Sequence, residues 1–174
     1  MNKHGFLKSY AYLHHPHKMK KILLLLLVAA AAFSSCSKKN DFDPGKQAIA
    51  DDTAIQAYLA AHTDIHATKD ASGVYYQIIT EGTGDKPTAA STVKITYKGT
   101  LLNGTQFDAQ VGINLPLPNT ILGWQVGVPL VKGGGRILLI IPSGLGYANR
   151  ANGSIPANSV LIFTIDLLDP HVAG

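Results

Sequence analysis

Val93, Ile95 and Tyr97 alternate with Lys94, Thr96 and Lys98. A period of two puts successive side chains on opposite faces of an extended strand, so the segment predicts one buried face, one wet face and an inward Tyr97. Asn103-Gly104 follows, ahead of Thr105-Gln106-Phe107-Asp108. That dipeptide predicts a tight type I′ hairpin turn, because both central residues of such a turn need positive φ. Two strands cannot bury an apolar face by themselves, so the rest of the chain must cover it.

The cover is written in several places. Val74-Tyr75-Tyr76-Gln77-Ile78-Ile79 is β-branched and aromatic and is closed by Gly82-Thr83-Gly84-Asp85, which predicts the first strand. Residues 137–141 form a continuous apolar run, and residues 160–168 predict a long final strand, with residues 142–158 as loop. Residues 111–119, rich in Pro and Gly, predict a loop, and residues 121–130 suffice for one or two helical turns stopped by Pro129. Upstream, the cap-type residues Asp51, Asp52 and Thr53 precede Ile55, Tyr58, Leu59 and His62, spaced by three and four. They predict a short amphipathic helix ending near His62, followed by a linker over residues 63–72. The architecture that accommodates these elements is α+β: an antiparallel five-stranded sheet packed on a short helix, with an N-terminal helical extension.

The front of the chain is of a different kind. Lys20-Lys21 precede twelve apolar residues, 22–33, and then Ser34-Ser35-Cys36-Ser37. A bilayer span needs about 20 apolar residues, so this run fits the core of an export signal rather than a membrane helix. Small residues before the only cysteine resemble a bacterial lipobox, which implies lipidation of Cys36 and an extracytoplasmic, lipid-anchored chain on the periplasmic face of the outer membrane or the cell surface. A plain signal peptide with an incidental Cys36 is the alternative. His4, His14, His15 and His17 precede a second Met with its own complete signal, so a misplaced start or a long leader accounts for them better than a metal site does. The expected divisions are a signal over 1–35, a lipidated Cys and flexible tether over 36–47, a helical extension over 48–72 and a folded domain over 73–170.

Charge excludes one class of partner. The net charge of +4 comes from that leader: from Cys36 onward there are 10 basic and 11 acidic side chains, which leaves no electrostatic case for nucleic acid. Conventional catalysis also lacks its groups. His62, His66 and His171 lie outside the predicted strands, and Glu81 is the only Glu, so neither a Ser-His-Asp arrangement nor a zinc site can be assembled in the core. Lys132-Gly133-Gly134-Gly135-Arg136 lacks the Lys-Ser/Thr ending of a phosphate loop and precedes a strand, which makes it a turn. The core does hold Tyr97, Phe107, Trp124, Tyr147 and Phe163, with Asp108 beside Phe107. On residue type alone these rings could equally be ordinary core.

Their order and spacing favour a site. Ile95-Thr96-Tyr97-Lys98-Gly99-Thr100-Leu101, Gly104-Thr105-Gln106-Phe107-Asp108, Ile121-Leu122-Gly123-Trp124-Gln125-Val126-Gly127, Ile141-Pro142-Ser143 through Leu145-Gly146-Tyr147, and Ile155-Pro156-Ala157-Asn158-Ser159 through Phe163 together resemble the FKBP-type peptidyl-prolyl cis-trans isomerases over about residues 73 to 169. The resemblance implies an FKBP-like fold and isomerisation of X-Pro bonds in exported polypeptides, without metal or cofactor. It implies a proline pocket floored by Trp124 and walled by Tyr97, Phe107, Ile121, Ile155 and Phe163. Tyr97, Asp108 and Tyr147 are the implied catalytic groups, and the Ile121 N–H and the Tyr147 hydroxyl are the implied donors to substrate carbonyls. Macrolide inhibitors are the other implied ligands. Three departures stand out. The stretch from Phe107 to Trp124 is shorter than in small members and lacks their Arg and second Phe, leaving Leu117 in that place; this bears on substrate preference and macrolide binding. Ala148 replaces a Gly, and Thr164 replaces an acidic residue. A proline-segment-binding chaperone or scaffold with weak or no turnover is the alternative function.

Overall fold

The computed structural model describes residues 42–172. The expected export signal, the N-terminal histidines and Cys36 lie outside the described residues. Asp43 opens the first helix, α1 (Pro44–Ala61): its Oδ1 accepts from the N–H groups of Gly45 and Lys46 at 2.9 and 3.1 Å, and Pro44 occupies the first turn, where no N–H is needed. This corrects the expected start at Asp51. Apolar periodicity begins only at Ile55, but capping chemistry begins the helix at Asp43-Pro44, so residues 44–47 of the expected tether are helical and Asp51 to Thr53 lie in mid-helix. The helix ends where expected, with the His62 N–H returning to the Tyr58 carbonyl at 3.0 Å.

Six strands follow: β1 (Thr68–Lys69), β2 (Tyr75–Thr80), β3 (Thr92–Leu101), β4 (Gln106–Pro116), β5 (Arg136–Ile141) and β6 (Leu161–Asp169). They form one antiparallel sheet in the order β1-β2-β5-β6-β3-β4. Five strands were expected; the sixth, β1, is a two-residue pairing with Tyr75 and Tyr76 inside the expected linker. The continuous apolar run of β5 has a direct cause, because both of its faces are buried. Ile137, Leu139 and Ile141 enter the main core, and Leu138 and Ile140 enter a smaller core with Ile55 of α1 and Tyr75, Val160 and Ile162. The second helix, α2 (Leu122–Gly127), covers the main core. Its backbone lies close on β5: a Cβ at Gly123 would come within 2.4 Å of the Ile141 side chain.

Two local expectations are corrected. The hairpin after β3 is a three-residue loop, not a type I′ turn: Gly104 alone takes positive φ, at 83°, and the Asn103 side chain accepts from the Thr105 N–H at 3.0 Å. That side-chain bond stabilises Asn103 without a left-handed backbone. Residues 111–116, expected as loop, extend β4. Gly112, at φ 62°, forms a bulge and its N–H donates to Thr96 Oγ1 at 3.0 Å, after which pairing resumes at Ile113 opposite Ile95. Pro116 is tolerated because β4 is an edge strand and ends there. Residues 117–119 then form a single 3-10 turn leading into α2.

Candidate active site

Where β3, β4 and β6 meet α2, the sheet leaves a cavity of about 540 Å³. Trp124, on the buried face of α2 and 4% exposed, is its floor. The Tyr97 and Phe163 rings stand edge-on to the indole at 4.9 and 5.0 Å, and Phe107 stands edge-on to Phe163 at 5.4 Å. This is the favoured geometry for aromatic pairs, the positive ring edge meeting the negative face. The indole Nε1–H is buried with no acceptor among the described residues. An unmet buried donor costs about 1–3 kcal/mol, so the surrounding packing must offset it.

Gly99 explains how two phenylalanines fit beside the same stretch of β3. It pairs with Phe163 on one side and Asp108 on the other, and a Cβ there would lie 2.6 Å from the Phe107 ring and 2.9 Å from that of Phe163. Only hydrogen leaves room for both rings.

The polar groups gather at the rim. The Tyr97 hydroxyl donates to Asp108 Oδ2 at 2.5 Å. Burial raises the Tyr97 phenol well above its ordinary range, and the Asp108 carboxylate adds to the shift, so the hydroxyl stays a neutral donor at any physiological pH. Tyr147 enters from the segment after β5 and Ile121 from the N-cap position of α2. Neither the Tyr147 hydroxyl nor the Ile121 N–H donates a hydrogen bond among the described residues.

The cavity brings together all but one of the side chains expected to form a pocket: Tyr97, Phe107, Asp108, Ile121, Trp124, Tyr147, Ile155 and Phe163. Leu117 is the exception. It is fully buried in the main core, and Leu115 lines the cavity in its place, because the strand continues past Gly112 and sets which side chains face the site. Sequence reasoning also missed Asn119 and Thr120 and the turn Asn152-Gly153-Ser154. The turn is closed by reciprocal backbone bonds of 2.9 Å between Asn152 and Ile155, which hold Ile155 against the pocket. In the sequence it lies within a stretch that reads only as loop.

An antiparallel sheet packed on a short helix, with a ring-lined cavity between them, defines an FKBP-like domain. The family model described as FKBP-type peptidyl-prolyl cis-trans isomerase matches residues 84–168, and it is this segment, which carries most of the sheet and α2, that belongs to the family. The chain is similar to the FKBP-type peptidyl-prolyl cis-trans isomerase FkpA of Aeromonas hydrophila, 41% identical over 128 residues, which cover 71% of this chain and 48% of that protein. FkpA of Escherichia coli K12 is 39% identical over 103 residues, 57% of this chain and 38% of that one. The chain spans about half the length of such curated relatives or less. The crystal structure of FkpA from Escherichia coli superposes with a TM-score of 0.63 at 28% identity, covering 93% of this chain and 74% of that chain. A peptidyl-prolyl cis-trans isomerase from Pseudomonas syringae superposes with a TM-score of 0.61 at 26% identity, covering 74% of this chain and 96% of that one.

Proposed function

We propose that this chain is a peptidyl-prolyl cis-trans isomerase acting on proline-containing segments of exported polypeptides, held at a membrane by lipid on Cys36. The observation that carries the reading is the cavity floored by Trp124, with Tyr97, Phe107 and Phe163 as walls and unengaged donors at its rim.

The chemistry suits that inventory. Rotating an X-Pro bond breaks no covalent bond; the barrier of about 18–20 kcal/mol is lost amide resonance. A twisted amide carries less charge on its oxygen than a planar one. Transfer from water into an apolar pocket therefore costs the ground state more than the transition state. Acceleration from tens of seconds to milliseconds needs about four decades, roughly 5.5 kcal/mol. In this reading the rings hold the pyrrolidine, the Ile121 N–H and Tyr147 hydroxyl donate to substrate carbonyls, and the Tyr97–Asp108 pair fixes the rim.

A second reading is favoured by one observation. The wall contributed by β4 beyond Phe107 is aliphatic Leu115 rather than a second aromatic ring, and a looser wall suits a binder of proline segments with weak turnover and alters the fit of macrolides. A protease-coupled isomerisation assay across X-Pro peptides separates the two: catalysed rates support the isomerase, whereas peptide binding at background rates supports the binder. Anchoring is tested separately, by incorporation of labelled fatty acid into the wild-type chain and its loss in Cys36→Ser.

A further inference from the structure

Asp51 and Ser143 are the only fully buried polar or charged residues among the described residues, and each is the other's partner. Asp51 Oδ2 accepts from both the Ser143 N–H and the Ser143 hydroxyl at 2.7 Å, and Oδ1 accepts from Gln47 Nε2 at 2.7 Å. No Lys, Arg or His bridges to Asp51 among the described residues. A carboxylate 3% exposed and held only by neutral donors is a costly way to join a helix to a loop, since an apolar contact of the same size would usually be as stable. What such a group supplies is fixed geometry.

The geometry it fixes is that of Tyr147. The Ser143 carbonyl accepts from the N–H of Gly146 at 2.9 Å and from that of Ala148 at 2.8 Å, so both neighbours of Tyr147 hang from the residue that Asp51 grips. Ala148 sits in the left-handed region at φ 52°, and its carbonyl is tied down by the Asn158 N–H at 2.7 Å. A non-glycine residue keeps that conformation only when its surroundings over-determine it.

We propose that Asp51, on the N-terminal helix and outside the family match, is a positioning residue for Tyr147: it holds Ser143, and through it the segment that places the Tyr147 hydroxyl over the proline pocket. The inference rests on the isomerase reading for its effect on turnover, but not for its effect on the segment. The full chain is assayed as wild type, Asp51→Ala, Asp51→Asn, Tyr147→Phe and the Asp51→Ala/Tyr147→Phe pair. Asp51→Ala lowers kcat/KM by about tenfold, and the loss shrinks to about twofold or less in the Tyr147→Phe background, because the two residues act as one unit. Asp51→Asn retains most activity, since its single carbonyl oxygen still accepts both Ser143 donors. In Asp51→Ala the amides of Gly146 and Ala148 lose hydrogen-exchange protection while those of Val93 and Leu139 keep theirs.

Equal losses in both backgrounds, or protection lost throughout the domain with no rescue by Asn, overturn the proposal. If the wild-type chain binds X-Pro peptides without turning them over, the isomerase reading fails by itself. The same cycle is then read in peptide affinity from Trp124 fluorescence, where coupling upholds the positioning role and additivity removes it. Should Asp51→Ala not fold, Ser143→Ala deletes the hydroxyl bond alone and enters the same cycle, with a loss of about threefold expected.

Discussion

Tyr97 and Asp108 are diagonal neighbours on one face of the β3–β4 ladder, Tyr97 pairing with Gln110 and Asp108 with Gly99, and their side chains close the diagonal with a 2.5 Å hydrogen bond. The pair is asymmetric. Removing the acceptor strands a half-buried phenol, whereas removing the donor leaves a carboxylate at the open rim. Asp108→Ala is therefore expected to cost about 1–2 kcal/mol of stability and Tyr97→Phe less than about 1 kcal/mol, with the double variant costing less than their sum. Urea unfolding of the four proteins measures this, and strictly additive losses would show that the bond contributes nothing.

The same phenol makes an alkaline prediction. Its folded pKa lies above the unfolded value near 10, so the neutral form is favoured on folding. That stabilisation is complete below about pH 10 and is lost as pH rises from there toward the folded pKa, because only the unfolded chain has begun to ionise. Tyr58 and Tyr75 are raised too, chiefly by burial, and Lys69 by its hydrogen bond to Asp52, so Tyr97→Phe removes one of several contributions. The urea midpoint is expected to fall less between about pH 9 and pH 11 in Tyr97→Phe than in wild type. An unchanged pH dependence would place the Tyr97 hydroxyl in water.

Gly99→Ala forces the Phe107 and Phe163 rings to move, since both lie under 3.0 Å from the added methyl. The expected result is a rise in the KM for X-Pro peptides of about tenfold with a stability loss of about 1–2 kcal/mol, an overpacking cost spread over two rings that border open space. A variant with normal KM would mean that these rings do not contact the peptide.

Ala148→Gly acts in the opposite direction. Ala pays about 1–2 kcal/mol to sit at positive φ, and Gly gives back part of that gain as unfolded-chain entropy. A net stabilisation of about 0.5–1 kcal/mol is expected in thermal or urea unfolding. A destabilised Ala148→Gly would show that the methyl packs usefully there.

The sequence carried the strands because burial on both faces of β5, and on one face of β3, leaves a direct imprint on residue type. It carried the rings of the pocket because each belongs to a local motif. What it hid was set by single backbone events or by distant contacts. The bulge at Gly112 extends β4 and puts Leu115 rather than Leu117 at the cavity, and no periodicity announces a bulge in a stretch with two prolines nearby. Asp51 read as a helix cap because a carboxylate ahead of an apolar stripe usually is one; its real partner, Ser143, is 92 residues away. The start of α1 was legible in Asp43-Pro44, but the polar residues around it resembled a tether.

β6 is the last described strand in sequence yet lies between β5 and β3. Until it is laid down, β1-β2-β5 and β3-β4 are two unjoined ribbons, neither with a partner for its inner edge, and Phe163 has not reached Trp124. A growing polypeptide thus has no complete ring-lined cavity until the segment carrying β6 has been made. The cavity is therefore completed last, by the strand that joins the two ribbons and carries Phe163 to Trp124.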